Sequence, residues 1–428
     1  MNKKTVLLGL NELNFEYIKI YCEQSLLPTF NYLFKNFGFT ETTSESEYKL
    51  LEPWIQWVSV HTGKTYAEHQ VFRLGDITER KDLKQLWEIL EEKNKSIGAI
   101  SPFNADNRLK NPKFFVPDPW TSAPSSGSYL LKNLSMAVQQ AVNDNAQGKL
   151  TVKSLLTLLV ALGTYISPAR YKAYLSLIKD RKKAGAKAII LDNMLSDVFI
   201  YQWKKHQPDF SSLFLNAGAH IQHHYLFNSS SYDGQFTNPE WYCPKGEDPL
   251  LTVLTHYDNT LKQLLSLDVN LYIATGLHQK PHKHLTYYWR LKNHIEFMNI
   301  INIKNYTTLL PRMSRDFLIE FGTPNEALQA AELLASFTAT TDGKTIFEID
   351  NRGNSLFVEL VYPENIEKNF SITSPKTGEI KNFENYIAFV AIKNGEHDGI
   401  GYLMANKKLD VKPQIPLTEV HHLLLNDI

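Results

Sequence analysis

The first apolar run of the chain is Thr5–Leu10, with the sequence TVLLGL, and the polar residues Asn11 and Glu12 follow it directly. A secretory signal needs an apolar core of about 7–15 residues, and this run stops short of that length. A short run of β-branched and other apolar residues that ends in polar ones is typical of a buried strand. We therefore predict a buried first strand with a polar loop at its end, and a cytoplasmic protein.

Later stretches repeat this pattern of an apolar strand, a polar loop and a helix. A helical pattern covers residues 15–37, and further apolar strands are expected at Ile97–Ile100, Ser212–Leu215 and Val269–Ala274. Tyr386–Ile392 is expected to return to the same sheet. Strands that end in polar loops before helices are typical of open α/β sheets. The predicted fold class is α/β, with a mainly parallel central sheet flanked by helices, a helical cap insertion and a small α+β insertion.

The composition excludes several classes of protein. The 428 residues include 45 Lys and Arg and 45 Asp and Glu, so a strongly cationic protein that binds duplex nucleic acid is not expected. Two cysteines exclude a disulfide scaffold and a cysteine-rich zinc module. No apolar run approaches the length of about 18 residues that a membrane span needs.

Changes of pattern along the chain divide it into five predicted segments. Residues 126–205 read as helical throughout, and residues 305–385 alternate between strand and helix patterns. The α/β core is expected in three separate stretches, at 1–125, 206–304 and 386–428. A helical cap insertion at 126–205 and a small α+β insertion at 305–385 separate these stretches.

Histidines cluster where predicted strands end. Because parallel strands end at one edge of a sheet, three such groups would converge on a shared polar site. Imidazole suits zinc and similar ions, and carboxylate or amide oxygens complete such sites, but hydrogen-bonded loop histidines would look the same in a sequence. The three groups are His220, His223 and His224, then His278, His282 and His284, and finally His397.

Several of these segments together resemble the alkaline phosphatase superfamily, especially its type I phosphodiesterase and nucleotide pyrophosphatase branch. The likeness lies in their order along the chain and covers most residues outside 126–200 and 305–385. In chain order, the segments are Val6–Asn11, Leu27–Phe30 with Gly38, Glu52–Gly63, Glu68-His69, Asn216–His224, Tyr257-Asp258, Ile273–Gln279 and Gly395–Ile400.

The chain departs from the pattern of that superfamily at the positions of metal ligands and of the nucleophile. Asn11 stands where the family has a metal-binding Asp at the end of the first strand, and Leu277 replaces a second Asp. The position of the Ser, Thr or Cys nucleophile falls at Pro53, beside Glu52, and no hydroxyl or thiol lies between Lys49 and Trp57. A covalent phospho-enzyme is therefore not expected.

What the resemblance implies for the site is a reduced metal centre. A divalent ion is expected, zinc before manganese. One ion is expected before two, because the resemblance implies that one of the family's two metal positions is reduced to Asn11 and His278, with Glu52 as a possible extra ligand. Glu52 and His278 are the implied catalytic groups. The implied metal ligands are His220, His224, His397, Asn11 and Asn216.

The resemblance implies a metal-dependent hydrolase or transferase of phosphate or sulfate esters. The attacking group would be a metal-activated water or an acceptor hydroxyl, and the substrate a small molecule or a glycan. An alternative is a catalytically degenerate protein of this fold that binds a glycan, nucleotide or partner without turnover. A third possibility is that the resemblance is mistaken and the histidines are unrelated.

Substrate-binding candidates are Trp54, Trp57, Arg108 and His282, which offer aromatic rings, a cation and an imidazole. Basic residues at 179–187 adjoin apolar helices, which allows a weak contact with a membrane surface. Neither a Walker loop nor a GxGxxG turn is present, so ATP or NAD has no support.

Overall fold

The computed structural model describes residues 3–143, 151–312 and 315–428 of the chain. They form two compact units, the first made of Met1–Pro281 and Gly395–Ile428, and the second of His282–Asn394. The predicted small insertion at 305–385 lies inside the second unit, which extends beyond it at both ends. The chain leaves the first unit within one long strand and returns within another.

The helices are α1 (Phe15–Glu23), α2 (Pro28–Phe37), α3 (Pro53–Thr62), α4 (Tyr66–His69), α5 (Leu86–Glu92), α6 (Tyr129–Asn143), α7 (Val152–Tyr165), α8 (Tyr171–Lys179), α9 (Ala186–His206), α10 (Ala217–Tyr225), α11 (Pro249–Leu265), α12 (His294–Ile300), α13 (Pro324–Ala335) and α14 (Glu419–Asp427). The strands are β1 (Thr5–Leu10), β2 (Thr40–Thr43), β3 (Ile97–Ile100), β4 (Phe114–Val116), β5 (Phe210–Leu215), β6 (Asn270–Ala274), β7 (His278–Leu291), β8 (Tyr306–Pro311), β9 (Asp316–Phe321), β10 (Thr338–Ala339), β11 (Phe347–Asn351), β12 (Ser355–Leu360), β13 (Ile372–Ser374), β14 (Gly378–Ile380), β15 (Ile387–Asp398), β16 (Ile400–Ala405) and β17 (Gln414–Pro416).

The first unit is built on an eight-stranded sheet in the order β17-β2-β16-β6-β1-β5-β3-β4. The strands β6, β1, β5, β3 and β4 are parallel to one another, and β16 is antiparallel to both of its neighbours. Helices cover both faces, so the predicted α/β class with a mainly parallel central sheet is confirmed. The carboxyl ends of β1, β5 and β6 therefore lie side by side at one edge.

The first strand sits at the centre of this sheet, and all six of its residues are buried. Val6, Leu8 and Leu10 enter the larger apolar core on one face, whereas Leu7 enters a second core with Trp57 on the other face. This alternation follows from the two-residue period of a strand, and burial on both faces explains the continuous apolar run.

The prediction that residues 386–392 return to the central sheet is wrong. Residues 386–392 do not join the central sheet, because Ile387–Asp398 forms β15, which pairs with β7. The strand that returns to the sheet is β16, where five of six residues are buried. It runs opposite to β6, so its amino end, and not its carboxyl end, lies at the edge where β6 ends.

The predicted helical segment 126–205 contains α6 to α9, with residues 144–150 outside the described ranges. The last of these helices is a core helix, because α9 packs on β3 and β5 and buries Val198 and Phe199. In contrast, α7 and α8 expose many of their apolar residues. In the second unit, an antiparallel sheet ordered β11-β12-β9-β8 packs against α13.

Within the described ranges, no single helix combines the length and the apolar character that a membrane span requires. A bent pair, Val152–Tyr165 with Pro168–Lys179, meets the length and composition test only when both helices are taken together across a bend of 112°.

Gly9 provides a test of how tightly β1 is packed. A Cβ at this position would lie 2.7 Å from Cη2 of Trp57 and 2.8 Å from Cδ2 of Phe214, two rings packed edge to face. We expect Gly9→Ala to lower the free energy of unfolding by about 1–3 kcal/mol, because a close-packed core absorbs an extra methyl group poorly.

Denaturant unfolding monitored by tryptophan fluorescence measures this change. The matched control is Gly163→Ala in α7, where a Cβ meets nothing within 4 Å. That substitution should leave stability unchanged or raise it slightly, since alanine favours a helix. Equal effects at the two positions would contradict the tight packing of β1.

Candidate metal centre

The turn after β1 holds Glu12 with main-chain hydrogen bonds on both sides. Its N–H donates to the carbonyl of Thr275 at 3.0 Å, and its carbonyl accepts from the N–H of Gln279 at 3.2 Å. The carbonyl also accepts from Nε2 of Gln222 in α10 at 2.7 Å. The residue has a positive φ of 57°, which fits this tight turn. Three segments of the first unit thus fix where Glu12 lies.

The carboxylate of Glu12 is nearly fully buried, with 3% of the side chain exposed. Oε1 accepts from Nδ2 of Asn11 at 2.9 Å, and Oε2 accepts from Nε2 of Gln279 at 2.6 Å. Nε2 of His223 lies 2.9 Å from Oε2, and Nε2 of His397 lies 3.1 Å from it. The two imidazole nitrogens are 3.2 Å apart. Glu12, His223 and His397 therefore form a triad whose three donor atoms lie close together.

The two imidazoles reach this point from different elements. His223 lies on α10, which follows β5, and the fully buried neighbours Ile221 and Gln222 fix the rotation of that helix. His397 lies near the end of β15, just before the antiparallel strand β16. Close approach of that segment depends on Gly395, where a Cβ would lie 2.8 Å from the carbonyl oxygen of Gln222.

These three residues fit a divalent metal ion. One carboxylate and two imidazoles are a known ligand set for zinc, and ligands at about 2.0–2.1 Å in tetrahedral geometry lie about 3.3 Å apart. The observed separations of 2.9, 3.1 and 3.2 Å are close to that value. The imidazole side chains are 29% and 14% exposed, so the group is open to solvent on one side. No other group of three such donors is found among the residues that the structure describes.

The charge state of Glu12 also suits a cation. Burial by itself would raise the pKa of this carboxyl, but the adjacent His397 and His223 outweigh burial and hold the pKa well below its usual value. The side chain is therefore an ionised carboxylate, the form that binds a metal ion.

A second layer of hydrogen bonds orients the carboxylate. Nδ2 of Asn11 also donates to Oδ1 of Asn216 at 2.8 Å, and Nε1 of Trp57 donates to Oδ1 of Asn11 at 2.8 Å. Asn11 and Asn216, predicted as metal ligands, are thus bonded to each other and position Glu12. Trp57, predicted as a stacking platform, is 1% exposed and packs in the core.

Glu52 lies near Nδ1 of His397, the ring nitrogen that does not contact Glu12. Its Oε2 is 3.7 Å from Nδ1 of His397, and the Glu52 side chain is 32% exposed. The residue precedes α3, in which Pro53 is the first residue. Of the two groups predicted as catalytic, Glu52 is therefore beside the triad.

The remaining predicted histidines lie outside the triad. His220 is exposed, and the centroid of its ring lies 4.9 Å from that of His224. Nδ1 of His278 lies 2.7 Å from the carbonyl oxygen of Ile400, and burial lowers the pKa of this imidazole. The short contact holds His278, the first residue of β7, against the start of β16.

The predicted substrate contacts are also mostly engaged elsewhere. The indole N–H of Trp54 donates to a main-chain carbonyl at 3.0 Å. Arg108 donates to the carbonyl of Leu83 at 2.8 Å and pairs with Glu88 of α5 at 3.0 Å, so its guanidinium is engaged by groups of the protein itself. His282 belongs to the second unit, where its Nδ1 is 2.8 Å from the carbonyl oxygen of His284.

Sequence reasoning missed Glu12 and His223 as donors. The resemblance directed attention to Asn11, although a carboxylate stood next to it in the same loop. The pairing of His220 with His224 by helical spacing hid His223, which is one residue away from the second of them. The full burial of Gln222 shows that the side of α10 carrying residues 222 and 223 turns towards the protein.

No family model matches the chain, and no curated protein matches it. Three of the similar solved structures are phosphonoacetate hydrolase from Sinorhizobium meliloti 1021, human ectonucleotide pyrophosphatase/phosphodiesterase 5 and alkaline phosphatase from the Antarctic bacterium TAB5. Each is 10% identical, with TM-scores of 0.44, 0.45 and 0.42. The matches cover 100%, 99% and 100% of this chain and 96%, 95% and 98% of those chains.

These proteins are alkaline phosphatase superfamily members, the superfamily that the sequence resembles. Identities and TM-scores this low transfer neither an activity nor a set of site residues to this chain.

Metal titration tests the triad. We expect the protein to bind about one Zn²⁺ per chain, and His223→Ala to weaken binding about 100-fold or more, because one of three ligands is lost. Glu12→Gln should weaken binding similarly, since it removes the ligand charge while keeping the side-chain shape. Isothermal titration calorimetry of the purified, metal-free protein provides the affinities.

The matched control is His220→Ala, three residues earlier on the same helix. It should bind zinc as the unchanged protein does. If His220→Ala lowered the affinity for zinc more than His223→Ala did, the binding site would instead include the exposed His220.

Proposed function

We propose that this chain is a divalent-metal-dependent hydrolase or transferase that acts on phosphate or sulfate esters. The observation that supports it is the convergence of Glu12, His223 and His397 on a solvent-accessible point, with Glu52 beside them. The resemblance of the ordered sequence segments to the alkaline phosphatase superfamily supports the ester class.

Glu12, His223 and His397 would hold the ion, and zinc suits this set of two imidazoles and one carboxylate better than manganese does. An ion there would act as a Lewis acid towards the ester oxygens and would lower the pKa of water to about 7. The chain supplies the fixed geometry, because Asn11 and Gln279 hold the carboxylate that faces both imidazoles. Such supporting hydrogen bonds typically change metal affinity or activity by about 10- to 100-fold.

In this proposal, Glu52 would accept a proton from an attacking water or acceptor hydroxyl. Its carboxylate is partly exposed and lies 3.7 Å from His397. If Nε2 of His397 held the ion, Nδ1 would carry the ring proton on the side of Glu52, and the same carboxylate would help to orient the imidazole. A base in this position contributes about 10²- to 10⁴-fold to a rate.

We prefer direct attack to a covalent route because Pro53, in the first turn of α3, stands where the superfamily that the sequence resembles has its nucleophile. Pro53 begins that helix, and proline has no group that can attack an ester. The neighbouring Glu52 provides a base but no hydroxyl. Attack by water gives hydrolysis, and attack by the hydroxyl of a second substrate, such as a sugar, gives transfer.

A second candidate function is binding without turnover. The observation in its favour is that the Glu12 carboxylate and the two imidazoles already satisfy one another at 2.9–3.2 Å. A closed set of this kind can stabilise the sheet edge with no ion at all. The solvent-exposed side of this group would then bind a glycan, nucleotide or partner.

Turnover assays distinguish the two candidates. With added Zn²⁺ or Mn²⁺, we expect cleavage of at least one of an aryl phosphate monoester, an aryl phosphate diester and an aryl sulfate. Glu52→Gln should lower kcat about 100-fold or more while the bound metal is kept, because the base is lost and the ligands are not. The double variant His223→Ala/His397→Ala should lose both metal and turnover.

Glu47→Gln is the matched control, an exposed glutamate on the same loop, and its kcat should be unchanged. Metal content is measured by elemental analysis of each untagged protein. A folded, metal-loaded protein that is silent on every ester, glycosyl phosphates included, would favour the binding function.

A further inference from the structure

The outer sides of α7 and α8 carry apolar residues where a surface helix usually has polar ones. On α7 the spacing places these residues on one face, and on α8 it does the same. Proteins that remain monomeric rarely expose apolar patches of this kind, and an exposed one marks an interaction site. This set, named the outer α7–α8 face, comprises Val152, Leu155, Leu156, Leu159, Val160, Tyr171, Leu175 and Ile178, which are 42–75% exposed.

The two helices already have a buried side. Ala161 and Tyr165 of α7 and Leu177 of α8 belong to the main apolar core, and both helices pack against α9. The hydroxyl of Tyr174 donates to Asp197 in α9 at 2.7 Å. The outer α7–α8 face is therefore additional to the apolar surface that attaches these helices to the first unit.

The same region has an excess of positive charge. Residues 151–191 contain eight basic residues and one acidic residue, Asp180, although the whole chain has 45 of each sign. The basic residues follow the two helices closely, as in amphipathic segments that lie on anionic lipid. They are Lys153, Arg170, Lys172, Lys179, Arg181, Lys182, Lys183 and Lys187. Arg170 is paired with the buried Asp197 of α9, with Nε 2.8 Å from Oδ1, whereas the other seven are exposed.

We propose that the outer α7–α8 face docks on an anionic lipid surface, with the apolar side chains at the level of the headgroups and the exposed basic residues on lipid phosphates. Apolar area and cationic charge act together in this kind of attachment, and each Lys or Arg near an anionic surface adds to it. The proposal does not depend on the reaction proposed for the metal centre.

Contact with one leaflet, and not a membrane crossing, follows from the geometry. A span needs about 20 apolar residues in one helix. Here α7 has 14 residues and α8 has 9, and the pair is bent by 112°. Since the inner side of each helix is packed in the core, the outer side can rest on a membrane without leaving the protein.

A second copy of the chain fits the face less well. In a two-fold symmetric dimer the same face meets itself, so two regions with eight basic and one acidic residue would come together. Like charges that face each other across an interface disfavour it. An anionic lipid surface instead complements the charge and also accepts the apolar residues.

Vesicle flotation with the full chain tests the proposal. We expect binding to vesicles of phosphatidylcholine with phosphatidylglycerol at low salt, weaker binding at high salt, and little binding to pure phosphatidylcholine. Arg181→Gln/Lys182→Gln/Lys183→Gln should lower the partition coefficient about 10- to 100-fold. Leu156→Gln/Leu159→Gln should lower it about 10-fold, because less apolar area enters the interface.

The matched control removes the same charge elsewhere, as Lys93→Gln/Lys408→Gln/Lys412→Gln, three exposed lysines outside residues 151–191. It should bind vesicles like the unchanged protein, and circular dichroism should show that every variant is folded. Equal binding by the two triple variants, or no binding to anionic vesicles by the unchanged chain, would overturn the proposal. A dimer that forms without vesicle binding, and that Leu156→Gln/Leu159→Gln abolishes, would assign the face to a second copy instead.

Discussion

A buried carboxylate at the end of the first strand is the constraint on which the rest of the site depends. Burying an ionised carboxylate costs several kcal/mol unless hydrogen bonds and opposite charges compensate it. For Glu12 the compensation comes from Asn11, Gln279, His223 and His397, which lie on four different segments of the chain. The sheet order β6-β1-β5 brings three of these segments together, and the reversed strand β16 brings the fourth. The positions of the donor atoms therefore follow from the topology of the sheet.

The core also reaches the site through a short chain of contacts. Trp57 is fully buried against Phe214 and Gly9, and its indole N–H donates to the same Asn11 that donates to Glu12. Because a close-packed core transmits displacement, a shift of the indole would move the amide and then the carboxylate. Packing of α3 on the sheet thus contributes to the position of a donor atom that α3 does not carry.

Much of the fold could be predicted from the sequence, because short apolar runs bounded by polar loops mark β1, β3, β5 and β6. The direction of a strand is not written in its composition, so the sequence does not reveal β16 and places the core strand too early, at residues 386–392. His397 is still expected at the correct edge, since a residue before an antiparallel strand and one after a parallel strand meet there. Glu12 could not be chosen over Asn11, because that choice depends on a positive φ in the turn.

The pair Asn11 and Glu12 also bears on what a missing strand-end carboxylate means. In the superfamily that the sequence resembles, an Asp ends the first strand and binds metal, and Asn11 at this position suggests a lost ligand. Here the amide takes the supporting role, bonded to Trp57 and Asn216, while the next residue carries the charge. The left-handed turn directs Glu12 towards α10 and β15, and its longer side chain spans the distance to both imidazoles. An amide at the ligand position is therefore compatible with a candidate set of metal donors, because the adjacent residue of the turn supplies the carboxylate.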